Sequence, residues 1–379
     1  MIKYLFIFMT LIFWNQMGYA QNETDIKLNN LIDKYYPNQE DPGIMLYISD
    51  NQGKMQYSKY KGMANLDAGE SITSKTNFRM ASVSKQVTAH AIYQLLKGNK
   101  IDFYQKISHF FPNLKGKARD INVYYLLNHV SGIVDYEEIL PENQKNQLSD
   151  HDVLQLIEAV DSTNFQMGTK FRYSNTGYCL LSLIVEKASG KDFSRYVKEE
   201  MFDKWEMRNS LVYKPSDKIL NRAYGYHLKE DQFVYADQSI TSATQGDGGV
   251  YTSGEDFAKL NAGMNFDMGV WGPTVGYGVY FENNLCPINK DISYSFGKFF
   301  GKDQNGNNAF FHSGESTGFN NIVISIPQRD LCISLFSNRD DLQIDSFFEE
   351  ILKLMDIQIQ GLGDKTLFAW LSDVYAHNN

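Results

Sequence analysis

Cysteine is scarce in this chain of 379 residues, which has three: Cys179, Cys286 and Cys332. An odd, widely spaced set does not make a disulfide framework, and a chain this long does not need one. Cys179 and Cys332 stand in apolar runs and read as small buried hydrophobes. Proline is rare at 8 residues, and with 28 glycines it leaves no long linker. Runs of lysine and arginine are missing and the net charge is -9, so nucleic acid is not an expected partner. The 7 histidines, at 90, 109, 129, 151, 227, 312 and 377, form no close pair with metal-ligand spacing, so no metal site is expected. Gly246, Gly248 and Gly249 lack the Gly-Lys-Ser/Thr ending of a phosphate loop, and instead let backbone pass close to a cleft.

With 43% hydrophobic and 14% aromatic residues, the chain can bury a sizeable core as one compact body. The first twenty residues differ from the rest. Lys3 precedes an apolar stretch, Tyr4 to Trp14, and Gly18-Tyr19-Ala20 follow before Gln21. A positive start, an apolar stretch too short to span a bilayer and small residues at a cut site describe a secretory signal. The expectation is cleavage near Ala20, a periplasmic or secreted location and no stable membrane anchor.

Residues 43–49 and 54–63 read as strands joined by the turn Asp50-Asn51-Gln52-Gly53. Val83 to Lys97 has helical spacing and stops at Gly98; Asn122 caps a short helix; residues 177–188 form another, stopped by Gly190. Ser253-x-x-Asp256 opens a further helix in the manner of a capping box. Strands return at 308–312, 319–326 and 331–337, and 347–355 is helical. Strands at both ends with helices between them predict one α/β (α+β) sheet assembled from both termini, with a helical lobe inserted at about 100–225.

Ser-x-x-Lys occurs three times. Ser58 and Lys61 lie in a strand, where residues three apart point to opposite faces. Ser295 and Lys298 lie in an aromatic segment without helical signal. Only Ser82 and Lys85 open an amphipathic helix, where the amine reaches the hydroxyl and unpaired N–H groups favour a developing oxyanion. A serine needs such a base to attack a carbonyl, and a lysine serves if burial lowers its pKa. Tyr173-Ser174-Asn175 leads into the helix at Gly177, so its phenol and amide are placed to face a cleft; Ser49-Asp50-Asn51 and Tyr36-Pro37-Asn38 are decoys in a turn and a polar segment. His312-Ser313-Gly314 ends one strand before Glu315, whose N–H is a candidate second oxyanion donor. Tyr136 is a candidate wall of the substrate pocket, and His129 reads as a packed turn residue.

These segments, in this order, resemble the β-lactamase-related family, which includes class C β-lactamases, D,D-carboxypeptidases, D-aminopeptidases and esterases. The resemblance runs over about residues 30–340 and rests on Phe78 to Lys85, Tyr125 to Ile133, Phe171 to Gly177, Asp247 to Ser253 and Phe310 to Phe319. It implies a β-lactamase/transpeptidase-like fold over residues 21–360, with a cleft between a helical lobe and an antiparallel sheet and a C-terminal tail at 361–379. It also implies Ser82 as nucleophile, Lys85 as the amine of the acylation machinery, Tyr173 as general base and acid, and Asn175 as a substrate-orienting amide. The Ser82 and Glu315 N–H groups would form the oxyanion hole, with no cofactor or metal. One departure bears on substrate: the chain has no Lys-x-Gly, and His312 stands where class C β-lactamases and D,D-peptidases carry lysine. The expected substrate is an ester, a D-amino acid (cell-wall) peptide or a β-lactam, with the first two favoured. The alternative is a penicillin-recognising sensor without efficient turnover.

Overall fold

The computed structural model describes residues 22–275 and 287–376, so the apolar leader, Cys286 and His377 lie outside the described residues. Seven strands form the main sheet. β1 (Ile44–Ser49) and β2 (Met55–Lys61) come from the N-terminal part; β3 (Ser293–Ser295), β4 (Lys298–Lys302), β5 (Asn308–Ser316), β6 (Phe319–Ile326) and β7 (Leu331–Ser337) come from the C-terminal part. Their spatial order is β3-β4-β5-β6-β7-β1-β2, antiparallel throughout. The two halves of the chain meet at β1 and β7, in register from Ile44 opposite Ser337 to Ser49 opposite Cys332. The sheet assembled from both termini is therefore observed.

Local chemistry explains the turns. Between β1 and β2, Asp50 Oδ1 accepts from the backbone N–H of Gln52 (3.0 Å) and Lys54 (2.8 Å), so Ser49-Asp50-Asn51 is turn chemistry. The β3–β4 hairpin, for which the sequence analysis gave no strand, turns at Phe296 (φ 50°) and Gly297 (φ 77°). Two successive positive φ values are the tight-hairpin solution, and the unfavourable one falls on a phenylalanine that propensity argues against.

Nine α-helices lie among the described residues: α1 (Glu23–Tyr35), α2 (Lys85–Lys97), α3 (Val123–Leu127), α4 (Asp150–Glu158), α5 (Asn175–Ser189), α6 (Phe193–Val197), α7 (Gly254–Val275), α8 (Gln343–Leu354) and α9 (Leu367–Ala376). Every residue of β1, β6 and β7 is buried, so helices cover both faces of the sheet. On one side Tyr35 of α1 and Tyr36, its C-cap, pack on Phe347 of α8, at ring distances of 5.4 and 5.3 Å. On the other, Phe257 of α7 meets Phe336 of β7 edge-on at 5.6 Å. The segment read as a tail is instead packed structure: Leu367, Phe368, Trp370 and Leu371 of α9 are buried, and the helix reaches β5. No helix among the described residues is long and apolar enough to cross a membrane.

Candidate active site

Phe78–Arg79 pairs with Val250–Thr252 in a small three-stranded sheet, which delivers the chain to Ser82. The expected helix from Val83 begins differently. Residues Ala81–Ser84 form a tight 3₁₀ turn and α2 starts at Lys85. Ala81 holds φ at 47°, an uncommon conformation for a residue with a Cβ, directly before the serine. Gly314 of β5 lies opposite; a Cβ there would come within 2.2 Å of the Met80 carbonyl oxygen, so only glycine admits this approach of strand to turn.

The turn brings Lys85 Nζ to 3.0 Å from Ser82 Oγ. The amine also lies 2.8 Å from Asn175 Oδ1 and 2.9 Å from the Asp247 carbonyl oxygen, and it is fully buried. Burial pushes Lys85 below the ordinary lysine value, opposed by the charge of Asp247 and more weakly by Asp135 and Glu137. Asn175 Oδ1 and the Asp247 carbonyl can only accept, so Lys85 donates to both, and its third contact is the Ser82 hydroxyl, which can accept or donate.

Tyr173 comes from the opposite side of the cleft. Its ring lies 4.8 Å from Lys85 Nζ, and its hydroxyl is buried without a hydrogen-bond partner. Burial raises its pKa well above the ordinary phenol value; Ser82 is close enough to oppose that shift but does not complete a bond. Tyr173 is thus a neutral phenol at rest. His129 sets the loop. Its Nδ1 accepts from the Ser174 N–H at 3.0 Å, and its ring lies 4.3 Å from that of Tyr173, the packed role read from sequence. Ser174 caps α5 through the Gly177 N–H at 3.2 Å. Asp135 Oδ2 accepts from the Asn175 N–H at 2.7 Å, which fixes the first residue of α5.

Residues 313–316 of β5 extend past β4 and present a free edge to the cleft. The Ser313 N–H leaves on that edge, donating to the Tyr375 hydroxyl at 3.4 Å. Glu315 is two residues on, so its N–H exits on the same side, as an oxyanion donor requires. Ser82, Asp135, Glu137, Glu138, Tyr173, Asn175, Glu315 and Tyr375 together line a cleft of about 390 Å³. A separate cavity of about 440 Å³ lies beside Gln94 and Trp205.

Three expected site residues stand elsewhere. Tyr136 is fully buried, with its hydroxyl 3.4 Å from Asp247 Oδ2, and does not wall the cleft. His312 and Ser313 are buried beneath Tyr375, whose hydroxyl lies 3.2 Å from His312 Nδ1 and 3.0 Å from Ser313 Oγ. Burial pulls His312 down to about 3, so it carries no charge toward substrate. Tyr375 was missed because α9 approaches β5 only through the tertiary fold; no spacing announces it.

Behind the lysine lies a buried carboxyl, also missed. Asp150 Oδ2 is 2.5 Å from Ser182 Oγ, which also lies 2.7 Å from the Cys179 carbonyl oxygen. One hydroxyl hydrogen cannot serve both acceptors; a protonated Asp150 donating to Ser182 satisfies both. Burial and the charge of Asp247 raise Asp150 to about 7. Asp150 also accepts from the Gln245 and Gly246 N–H groups, and so supports the backbone that offers the Asp247 carbonyl to Lys85. Because its folded pKa lies above the unfolded value, its stabilisation is complete below about pH 4 and is lost as pH rises through about 7. Thermal melts from pH 4 to 8 are expected to show this loss in wild type and a flatter profile in Asp150→Asn, with about 1–3 kcal/mol less stability at low pH from the altered hydrogen bonds. Parallel profiles would contradict the assignment.

A seven-stranded antiparallel sheet with helices on both faces, and a serine–lysine pair at its cleft, defines a serine hydrolase scaffold. The chain belongs to the β-lactamase family, whose family model matches residues 28–347. Among curated proteins it is similar to penicillin-binding protein 4* of Bacillus subtilis, 25% identical over 311 residues, covering 77% of this chain and 67% of the relative. The chain spans about two thirds of the length of the curated relatives it matches. Among solved structures, the octameric penicillin-binding protein homologue of Pyrococcus abyssi has a TM-score of 0.71 at 23% identity, covering 87% of this chain and 77% of that one. The D-amino acid amidase of Ochrobactrum anthropi, solved with L-phenylalanine amide, has a TM-score of 0.70 at 19% identity, covering 87% and 99%. Both likenesses concern the fold.

Proposed function

We propose that the protein is an exported serine hydrolase that forms an acyl-enzyme on Ser82 and cleaves an ester or an amide of a D-amino acid peptide. The single observation that carries this reading is the fully buried Lys85 amine 3.0 Å from the Ser82 hydroxyl. Lys85 takes the Ser82 proton as Oγ bonds to the substrate carbonyl carbon. The resulting oxyanion lies between the Ser82 and Glu315 N–H groups. Tyr173 gives its phenolic proton to the leaving oxygen or nitrogen as that bond breaks, and recovers one from the Lys85 ammonium. Water then attacks the acyl-enzyme, its proton passing to the Tyr173–Lys85 pair, and Ser82 is released with its own proton restored. The leader at 1–20 supports export.

His312 weighs against β-lactams as the main substrate. It is neutral and buried at the position where a lysine would hold the substrate carboxylate. A lost charge-assisted contact of that kind lowers kcat/KM by about 10- to 100-fold. A chromogenic ester is therefore expected to be turned over at least tenfold more efficiently than a chromogenic cephalosporin in parallel assays. Equal or greater efficiency on the cephalosporin would overturn this preference.

A further inference from the structure

The third Ser-x-x-Lys pair, Ser295 and Lys298, takes no part in the acyl-transfer chemistry. Lys298 opens β4 directly after the tight β3–β4 turn, and that turn is pressed onto the start of α2. A Cβ on Gly297 would come within 2.6 Å of the Lys85 carbonyl oxygen and 2.7 Å of Gln86 Cα, so only glycine permits the approach. Lys298 is thereby delivered to the interior, between the sheet and the helices α2 and α7.

A hole of about 10 Å³ lies there, the size that admits one water or one small ion. Its polar lining is nearly all donors. Lys298 is joined by Gln86 of α2, Asn261 of α7 and Ser325 of β6, and the four residues are only 2–6% exposed. Gln86 Nε2, Asn261 Nδ2 and Ser325 Oγ are each buried without a partner. Lys298 Nζ makes no hydrogen bond or ion pair among the described residues; the centre of the Phe310 ring lies 6.0 Å away, a weak substitute for an anion. Cys332, also on the wall, does not supply the charge, because burial pushes its thiol up to about 11. Burial pulls Lys298 down to about 8, which leaves it mostly charged at neutral pH.

Donor count and charge identify the occupant. The ammonium and the two amide N–H groups can only donate, and a water has just two lone pairs to offer the three of them. A water also leaves the buried ammonium without a counter-charge, which is costly. A monatomic anion accepts from every donor and cancels the charge, whereas a carboxylate or phosphate is too large for the hole.

We propose that this hole is a halide site, holding a chloride ion among Lys298, Gln86, Asn261 and Ser325 and so tying α2 and α7 to the sheet. The ion sits one residue along α2 from Lys85, and its binding needs no acyl chemistry at Ser82.

Thermal melts of the full-length protein in sodium chloride and in sodium gluconate, at equal ionic strength, test the site. Chloride is expected to raise the melting temperature saturably by about 2–4 °C over gluconate, the shift for a ligand at about 10–100 times its dissociation constant. Lys298→Met keeps the apolar stem without the charge and should melt alike in both salts. A wild-type crystal soaked in sodium bromide gives a readout that does not depend on the variant folding. An anomalous peak is expected between Lys298 Nζ, Gln86 Nε2 and Asn261 Nδ2. Equal wild-type melts in the two salts, or a bromide-soaked crystal without that peak, would overturn the proposal. A full chloride shift retained in Lys298→Met would do so as well, by placing the ion elsewhere.

Discussion

Replacing Ser82 with alanine is expected to lower kcat/KM on any accepted ester or amide by about 10⁶-fold, the scale on which removal of a serine nucleophile lowers turnover in hydrolases of this logic. The geometry explains the size. Lys85, Tyr173 and the candidate oxyanion donors converge on one hydroxyl, so without it the proton relay has nothing to activate. Fold should be spared, because Ser82 is half-buried and its hydroxyl bonds to Lys85 within the site. Steady-state assays beside thermal melts separate the two effects. A loss under tenfold with an unchanged melt would remove Ser82 from the chemistry.

Lys85→Ala is expected to lower kcat/KM by about 10²- to 10⁴-fold, the contribution of a positioned general base. The pH profile is the more specific readout. Burial places the Lys85 pKa below its ordinary value, so the amine is neutral over a wider range and kcat/KM rises with pH until Lys85 is fully deprotonated. That rising limb should disappear in the alanine variant. The variant also strands Asn175 Oδ1 and the Asp247 carbonyl, which costs about 1–3 kcal/mol of stability for each acceptor left dry. Groups that act as one unit are not additive, so the double variant should be no worse than Ser82→Ala alone. A double variant markedly worse than either single one would mean that Lys85 works elsewhere.

The parts of this site visible in the sequence are those fixed by local geometry. Ser82 and Lys85 are one turn apart, so their approach follows from helical spacing, even though the turn is 3₁₀ rather than α. Ser174 and Asn175 announce themselves by preceding an apolar helix, and Gly314 by ending a strand among small residues. The rest depends on distant chain segments. The Asp247 carbonyl is 162 residues from the amine it holds, and Asp150 is 96 from the Gly246 N–H it supports. Tyr375 reaches Ser313 across 62 residues, from a helix whose apolar face gives no hint of which strand it will cover. Tyr136 shows the converse failure. It is a candidate pocket wall by sequence, but the bond from its N–H to Thr176 Oγ1 at 2.7 Å holds that backbone against α5 and the ring is buried.

The central claim is that substrate is carried covalently on the Ser82 oxygen, and acid-quenched intact-mass spectrometry during turnover of a chromogenic ester tests it most directly. Wild type should gain the mass of one acyl group, mapped by proteolysis to the peptide holding Ser82, and Ser82→Ala should gain none. An acyl group found on another residue, or the same adduct on the alanine variant, would contradict the account.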